Sequence, residues 1–248
     1  MGDDALVESF GRDGFARVAA IADGASLLEF AALLGGLFAR VDTLPAALVH
    51  RCATAGAVDS LEILETLRLE PRLQTTAVYQ RCRELAGVIL GCEPEPFFDH
   101  TIRKPAAVGS GTPWHQDIIY DRYEPDRGRV HFWIPTTAVD VNGGCMEFLA
   151  GTHRSALVRH EPNALDPTGH SRIAVGLHDG ARIAVPVDAG DATVHHQRTL
   201  HRTGPNRSGA ERTAWILQFA RPRTRREQAR ENLRRVSRLT TRLVKRFG

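Results

Sequence analysis

Long apolar runs, paired cysteines and lysine are all scarce in this sequence. No apolar run approaches the ~18 residues that a transmembrane helix needs, and the acidic opening MGDDALVESFGRDGF lacks the basic-then-apolar pattern of a signal peptide. None of the four cysteines stands in a Cys-x-x-Cys pair, which argues against zinc-knuckle and redox motifs. These absences predict a cytoplasmic protein with free thiols and no membrane span.

Basic charge is carried almost entirely by arginine, and it is unevenly placed. Only Lys104 and Lys245 are lysines among 32 basic residues, a bias that usually follows the base composition of the gene. Residues 221–248 hold 11 basic and 2 acidic residues, a net charge of +9 in a chain of +3, which leaves −6 on residues 1–220. The sequence therefore predicts a mildly acidic domain over 1–220 and a basic segment over 221–248.

Hydrophobic periodicity changes near residue 97. Before it, a strand pattern at 15–21 is followed by helical patterns at 26–38, 60–70 and 73–91, with Ser26 as the expected cap of the first helix. After it, six short apolar segments are separated by turns rich in glycine and proline: FFDHTIRK, VHFWIPTTAV, CMEFLA, ARIAVPV, DATVHH and RTAWILQFA. Many short strands with regular turns predict a single mainly-β domain, a barrel or sandwich.

Residues 221–248 have the pattern of a basic amphipathic helix. Leu233, Val236, Leu243 and Phe247 recur at three- and four-residue spacing among arginines. This apolar stripe is expected to pack on the domain, and a dimer contact or an anionic partner are the alternatives. Nucleic-acid binding is disfavoured because the segment lacks interleaved aromatic residues and any known module.

The segment TPWHQDIIY contains His115-x-Asp117, whose side chains share one face of a strand. Two histidines and one carboxylate form the facial triad of non-haem Fe(II) oxygenases. The triplet alone is weak, because a chain with 11 histidines yields it readily by chance. Downstream, His195, His196 and His201 are candidates for the second histidine.

Arg212 follows His201 by eleven residues and opens the strand RTAWILQFA. A fixed guanidinium there can bind the distal carboxylate of a dicarboxylate in a two-pronged contact. The face that Arg212 shares with Ala214, Ile216 and Gln218 suits a ligand cavity, and the opposite face, which carries Trp215, suits packing under a helix.

Taken together, these segments resemble the phytanoyl-CoA dioxygenase family of 2-oxoglutarate oxygenases over about residues 10–220. Four blocks carry the resemblance in order and spacing: ESFGRDGFARV, FFDHTIRKPAAVGSGTPWHQD, HFWIPTTAVDVNGGCMEFLAGTHR, and the GD…LHRTGPNRS…R block. The resemblance implies a double-stranded β-helix, the cupin-like jelly roll, with flanking helices. It also implies Fe(II), 2-oxoglutarate and O₂ as cofactor and cosubstrates.

Residue roles are implied position by position. The iron ligands would be His115, Asp117 and His201, and the residues of the cosubstrate site would be Arg212, Trp133, Thr203 and Lys104. Because family halogenases replace the carboxylate with a small residue, Asp117 favours hydroxylation. His196 is expected inside the barrel, as a core residue or close to the ligands, and His195 should point the opposite way. His153 is expected to fix a loop. Tyr120 and Tyr123 either form walls of the pocket or pack as ordinary core residues.

The substrate is not identified by this resemblance. Residues 154–180 carry no recognisable family signature, although this region usually shapes the substrate pocket. We expect a small-molecule, biosynthetic substrate that is oxidised at a C–H bond. Two alternatives stay open: a cupin-type metal enzyme that does not use 2-oxoglutarate, and a catalytically silent binding protein that acts through the basic tail.

Overall fold

The computed structural model describes residues 2–52, 60–107, 111–120, 127–164, 172–177 and 181–229. The helices are α1 (Asp3–Asp13), α2 (Gly24–Ala39), α3 (Thr66–Leu69) and α4 (Ala77–Leu90). The strands are β1 (Phe15–Val18), β2 (Val49–Cys52), β3 (Ser60–Leu64), β4 (Glu95–Lys104), β5 (Thr112–His115), β6 (Val130–Pro135), β7 (Met146–Leu149), β8 (His160–Pro162), β9 (Arg172–Ala174), β10 (Arg182–Val185), β11 (Ala192–His196), β12 (His201–Thr203) and β13 (Arg212–Ala220).

Two antiparallel sheets form the body of the molecule. The major sheet has seven strands in the order β1-β11-β6-β13-β4-β3-β2, and the minor sheet has four in the order β10-β7-β12-β5. Strands β8 and β9 pair separately as a short two-stranded sheet. This is the predicted double-stranded β-helix with flanking helices, so the fold expectation is confirmed.

The main core lies between the major sheet and the helices that cover its outer face. Trp215 on β13 is fully buried, and its ring centroid lies 5.7 Å from that of Phe30 on α2 and 6.4 Å from that of Tyr79 on α4. Its Nε1 donates a hydrogen bond to Asp99 Oδ2 at 2.9 Å. The opposite face of β13, beginning at Arg212, is left for the barrel interior, as its alternation predicts.

Two local predictions are wrong. Residues 60–70 are not one helix, because β3 extends from Ser60 to Leu64 and only α3 is helical. Ile63 is fully buried while Glu62 beside it is not, and pairing with β4 satisfies the backbone of β3. Helix α2 is capped by Asp23, whose side chain accepts the Ser26 N–H at 2.8 Å, because a carboxylate is the stronger acceptor at a helix N-terminus.

The described chain ends in a helical turn at residues 225–229. Thr224 and Glu227 hydrogen-bond reciprocally at its start, as in a capping box. The apolar stripe predicted for the tail lies outside the described residues, as does Tyr123. Within the part of the chain described here, no helix is long and apolar enough to cross a membrane.

Candidate metal centre

The three predicted ligands lie close together at the β12-β5 edge of the minor sheet. His115 ends β5 and His201 begins β12, and the two are direct partners across the antiparallel pair. Asp117 follows β5 in a short 3-10 turn. His115 Nε2 lies 3.3 Å from Asp117 Oδ1, and His201 Nε2 lies 3.6 Å from Asp117 Oδ2. All three ligand atoms lie within 4.8 Å of one another, close enough to share one ion.

Backbone carbonyls orient both imidazoles. His115 Nδ1 lies 2.8 Å from the Pro113 carbonyl oxygen, and His201 Nδ1 lies 2.9 Å from the Thr199 carbonyl oxygen. A proton on each Nδ1 satisfies these carbonyls and places each Nε2, the nitrogen that can bind an ion, beside Asp117. This arrangement is the one that metal-binding histidines use, because the second nitrogen fixes both the tautomer and the ring orientation.

Protonation states also suit a cation. Burial would raise the pKa of Asp117, but the imidazoles of His201, His131 and His115 hold it well below its ordinary value. Burial lowers the pKa of His201 well below its ordinary value, so that ring is neutral. For His115, burial is outweighed by the hydrogen bond and charge of Asp117, which raise its pKa. Asp117 and His201 therefore have the protonation states that bind metals, whereas His115 releases a proton when its ring binds an ion.

Two further histidines reach the same carboxylate. His131 on β6 and His195 on β11 are cross-strand partners that face the barrel interior. His131 Nδ1 lies 2.8 Å, and His195 Nε2 3.0 Å, from Asp117 Oδ2. Burial outweighs the attraction of Asp117 and lowers the pKa of His131 to about 4, so this ring is neutral at pH 7.

This placement corrects the expectation that His196 lies inside the barrel and confirms that His195 points the opposite way from it. His195 faces the barrel interior and is 2% exposed. His196 faces the other way, where its ring centroid lies 6.2 Å from that of Phe10 and 5.6 Å from that of His153. The reason is the register of β11 against β6, which pairs His195 with His131 and cannot be read from local sequence.

One ion fits this cluster better than two. His131, His195 and Asp117 form a second set of potential ligands, but both sets share Asp117 as their one carboxylate. Two divalent ions ~4 Å apart would repel each other by about 16 kcal/mol at an effective dielectric constant of about 20. His115 and His201 form the better set, because both present an oriented lone pair.

The four residues predicted for the cosubstrate also come together. Arg212 and Lys104 are cross-strand partners on β13 and β4. Lys104 Nζ donates to Thr203 Oγ1 at 3.0 Å. The Arg212 guanidinium carbon lies 5.4 Å from the ring centroid of Trp133, and Nη1 donates to the Gly144 carbonyl at 2.6 Å. Gly144 has φ +77°, and a Cβ there would meet the Gly204 carbonyl oxygen at 2.4 Å, so this turn requires glycine.

The charge and burial of Arg212, one of the residues predicted to bind the cosubstrate, suit a dicarboxylate. Arg212 is 3% exposed, and its Nε has no hydrogen-bond partner among the described residues. Burial lowers the pKa of Arg212 to about 10, so the guanidinium is still charged at pH 7. A buried cation with an unused donor is costly unless an anion completes it.

The remaining predicted residues divide by position. Tyr120 lies beside the centre, its ring edge-on to His115 with centroids 6.1 Å apart, and it is 40% exposed. His153 fixes a loop, because its Nε2 lies 3.3 Å from the Gly11 carbonyl oxygen.

Sequence reasoning missed His131 and Gln116. The signal for His131 was its position two residues before Trp133, on the same strand face.

Gln116 ties together the loops around the metal centre. Its Nε2 donates to the Arg198 carbonyl at 2.6 Å, and its Oε1 accepts the Val158 N–H at 3.1 Å. Its backbone N–H donates to His160 Nε2 at 3.1 Å. A fully buried glutamine between two ligand positions therefore fixes the turn that presents Asp117.

Comparison with known proteins identifies the family. Residues 10–214 match the family model described as phytanoyl-CoA dioxygenase (PhyH). The peroxisomal phytanoyl-CoA dioxygenase of Bos taurus is 31% identical over 126 residues, which are 48% of this chain and 37% of the bovine protein. The chain thus matches well under half the length of this curated relative.

Solved structures cover much more of the chain. EvdO2 from Micromonospora carbonacea var. aurantiaca, complexed with 2-oxoglutarate, superposes with a TM-score of 0.70 at 28% identity, over 88% of this chain and 91% of that protein. The epimerase SnoN, in complex with Fe3+, alpha ketoglutarate and nogalamycin RO, gives a TM-score of 0.70 at 22% identity, over 88% of this chain and 83% of that protein, which supports the fold. With the family model matched over most of its length, the chain belongs to the phytanoyl-CoA dioxygenase family.

Proposed function

We propose that this protein is a non-haem Fe(II)- and 2-oxoglutarate-dependent dioxygenase. In this proposal His115, Asp117 and His201 hold the iron, and Arg212 binds the far carboxylate of 2-oxoglutarate. The observation that carries the proposal is the pairing of a His-Asp-His cluster with a buried guanidinium whose Nε lacks a partner in the described structure. Family membership and the likeness to EvdO2, which was solved with 2-oxoglutarate, support it.

The protein's own residues bind and orient the reactants. Arg212 neutralises the distal carboxylate, and Trp133 forms the wall beside it. Lys104 and Thr203, which share a hydrogen bond, supply a further cation and a hydroxyl at the same end of the pocket. A bound Fe(II) would supply electrons for O₂ activation while 2-oxoglutarate decarboxylates to succinate and CO₂. Asp117 keeps a negative charge beside the ion, because its pKa is held low.

We further propose that the second substrate is a small molecule oxidised at a C–H bond. Retention of the carboxylate Asp117 favours hydroxylation over halogenation. Tyr120, exposed and edge-on to His115, supports an accessible approach to the centre from that side. We also propose a biosynthetic role for this oxidation.

Succinate release tests the proposed function. The purified chain, loaded anaerobically with Fe(II) and 2-oxoglutarate and then exposed to O₂, should form succinate even without its second substrate, at a slow uncoupled rate. Leaving out Fe(II) should abolish this product. Iron binding without succinate would point to a cupin-type enzyme that does not use 2-oxoglutarate. Absence of both would point to a binding protein.

A further inference from the structure

Two histidines outside the proposed ligand set contact the carboxylate ligand. His131 and His195 are 0% and 2% exposed, and each places a ring nitrogen within 3.0 Å of Asp117 Oδ2. They approach from adjacent strands of the major sheet, whereas His115 and His201 belong to the minor sheet. Asp117 is therefore contacted from both sheets of the barrel.

Packing restricts both rings to this orientation. The His195 ring packs against that of His201, at a centroid distance of 4.2 Å, and that of Phe148, at 5.5 Å. The His131 ring lies 5.3 Å from that of His195. Imidazoles enclosed in this way lose little further rotational freedom when they hold a neighbouring group.

The contacts differ in quality. His195 Nε2 makes an aligned hydrogen bond to Asp117 Oδ2 at 3.0 Å. His131 Nδ1 is nearer, at 2.8 Å, but is not aligned as a hydrogen bond. Its Nε2 also lacks a partner among the described residues. A buried ring nitrogen without another partner makes Asp117 the group on which His131 acts.

We infer that His131 and His195 are positioning residues of the metal centre. Acting through Oδ2, they hold the Asp117 carboxylate so that Oδ1, which lies 3.3 Å from His115 Nε2, is presented to the ion. Outer groups of this kind orient a ligand and raise metal affinity. The inference rests on the proposed function, since it takes His115, Asp117 and His201 as the ligands.

Each histidine contacts Asp117 through a different ring nitrogen, so a different amide side chain can replace each of them. His195 acts through Nε2, whose place a glutamine amide nitrogen approximates, whereas His131 acts through Nδ1, which an asparagine amide nitrogen approximates. His195→Gln should therefore keep the donor, and His131→Asn should keep a nitrogen at the position of Nδ1. The exchanged amides, His195→Asn and His131→Gln, place it wrongly and serve as matched controls. His196→Ala, on the same strand but facing away, controls for loss of a β11 imidazole.

Anaerobic calorimetry of Fe(II) binding to the full chain, with 2-oxoglutarate present, tests the inference. We expect His131→Ala and His195→Ala each to weaken iron binding about 10- to 100-fold. The matching amides should recover most of this loss, and the exchanged amides should not. The charge-transfer absorption of the Fe(II)–2-oxoglutarate complex should shift in the alanine variants and not in His196→Ala. Thermal unfolding of each metal-free variant checks that it folds. If an alanine variant does not fold, the iron affinities of the matching and exchanged amide variants at that position can still be compared.

Three results would overturn the inference. They are wild-type iron affinity in folded alanine variants, equal affinity in the matching and exchanged amides, and two ions per wild-type chain with one lost in the variants. The last result would make His131 and His195 ligands themselves. If the wild-type chain binds Fe(II) but forms no succinate, the proposed function fails and the affinity ratios still decide the inference. If it binds no Fe(II), both fail.

Discussion

Asp117 shows how much of the site's chemistry depends on one side chain. Four imidazoles lie within 3.6 Å of its two oxygens, and no other carboxylate belongs to either potential ligand set among the described residues. Its negative charge is what makes the cluster attractive to a cation. Without it, four imidazoles would face an ion with no negative charge to compensate it.

The ligand assignment predicts a sharp contrast between neighbouring histidines. His115→Ala, Asp117→Ala and His201→Ala should each abolish iron binding and succinate formation, because a triad that loses one member leaves the ion under-coordinated. His196→Ala should bind iron as the wild type does, since its ring lies against Phe10 and not in the cluster. Metal analysis and calorimetry measure both. Iron lost from His196→Ala but retained by His201→Ala would refute the assignment.

Replacing Arg212 should separate cosubstrate binding from metal binding. Arg212→Ala removes a charged partner from a buried carboxylate, which costs on the order of 2–5 kcal/mol, or about 30- to several-thousand-fold in the KM for 2-oxoglutarate. Iron affinity measured without 2-oxoglutarate should change little. Arg202→Ala is the matched control, because that guanidinium pairs with Glu147 at 2.8 Å next to His201. An unchanged KM in Arg212→Ala would exclude it as the carboxylate-binding residue.

At the scale of single elements, the sequence predicts strands best where a helix covers one face. β13 follows its alternation completely, because Trp215 must be buried and Arg212 must face the cavity. β3 resembles a helix in sequence because its three apolar residues fit both periods. Leu61 and Ile63 are spaced as in a strand, and Leu61 and Leu64 as in a helix. The clustering of His115, Asp117 and His201 was predictable from spacing and family resemblance. The role of His195 was not, because it follows from the pairing of β11 with β6.

The β2-β3-β4 edge of the major sheet carries a half-buried acid, Glu62, which predicts that the stability of the fold depends on pH. Glu62 Oε1 lies 2.5 Å from His100 Nδ1, and Oε2 lies 3.4 Å from His50 Nδ1. Burial would raise the pKa of Glu62, but hydrogen bonds and attraction from His100 and His50 lower it far below its ordinary value. A depressed pKa in the folded state adds stability above the unfolded value of about 4.3, and this stability is lost as the pH falls.

Glu62→Gln should therefore be less stable than the wild type at pH 6, and the gap should narrow as the pH falls below about 4. Urea unfolding over this pH range measures the difference in the free energy of unfolding between the two proteins. The titration of acidic groups that both proteins share contributes equally to both and drops out of this difference. A gap that stays constant with pH would show that the loss comes from packing and not from the charge.

At the scale of the whole molecule, charge is concentrated in the C-terminal tail, residues 221–248. Residues 1–220, with a net charge of about −6, are followed by 28 residues with a net charge of +9. The described part of the tail begins with the capped turn at Thr224, and Arg127 Nη1 donates to the Arg221 carbonyl at 2.7 Å. The start of the tail is thus attached to the domain.

Truncation after Ala220 should lower the melting temperature, because an apolar stripe at helical spacing needs a surface to cover. Replacing Arg234, Arg235 and Arg238 with glutamine in the full-length chain is the matched control, since it keeps the stripe and removes charge. If the control instead raises a substrate KM, more strongly at low salt, the tail attracts an anion. Unchanged stability and salt-insensitive kinetics in the truncated protein would contradict both roles.

Because lysine is scarce, chemical labelling of Lys104 can measure how often the barrel opens. Of its two primary side-chain amines, Lys104 is 3% exposed inside the barrel, and Lys245 belongs to the tail, outside the described residues. Acylating reagents need a solvent-accessible, unprotonated amine, so modification of Lys104 should occur only when the barrel transiently opens. Peptide mass spectrometry of a labelling time course would then measure how often the cosubstrate pocket is exposed to solvent, without any engineered label.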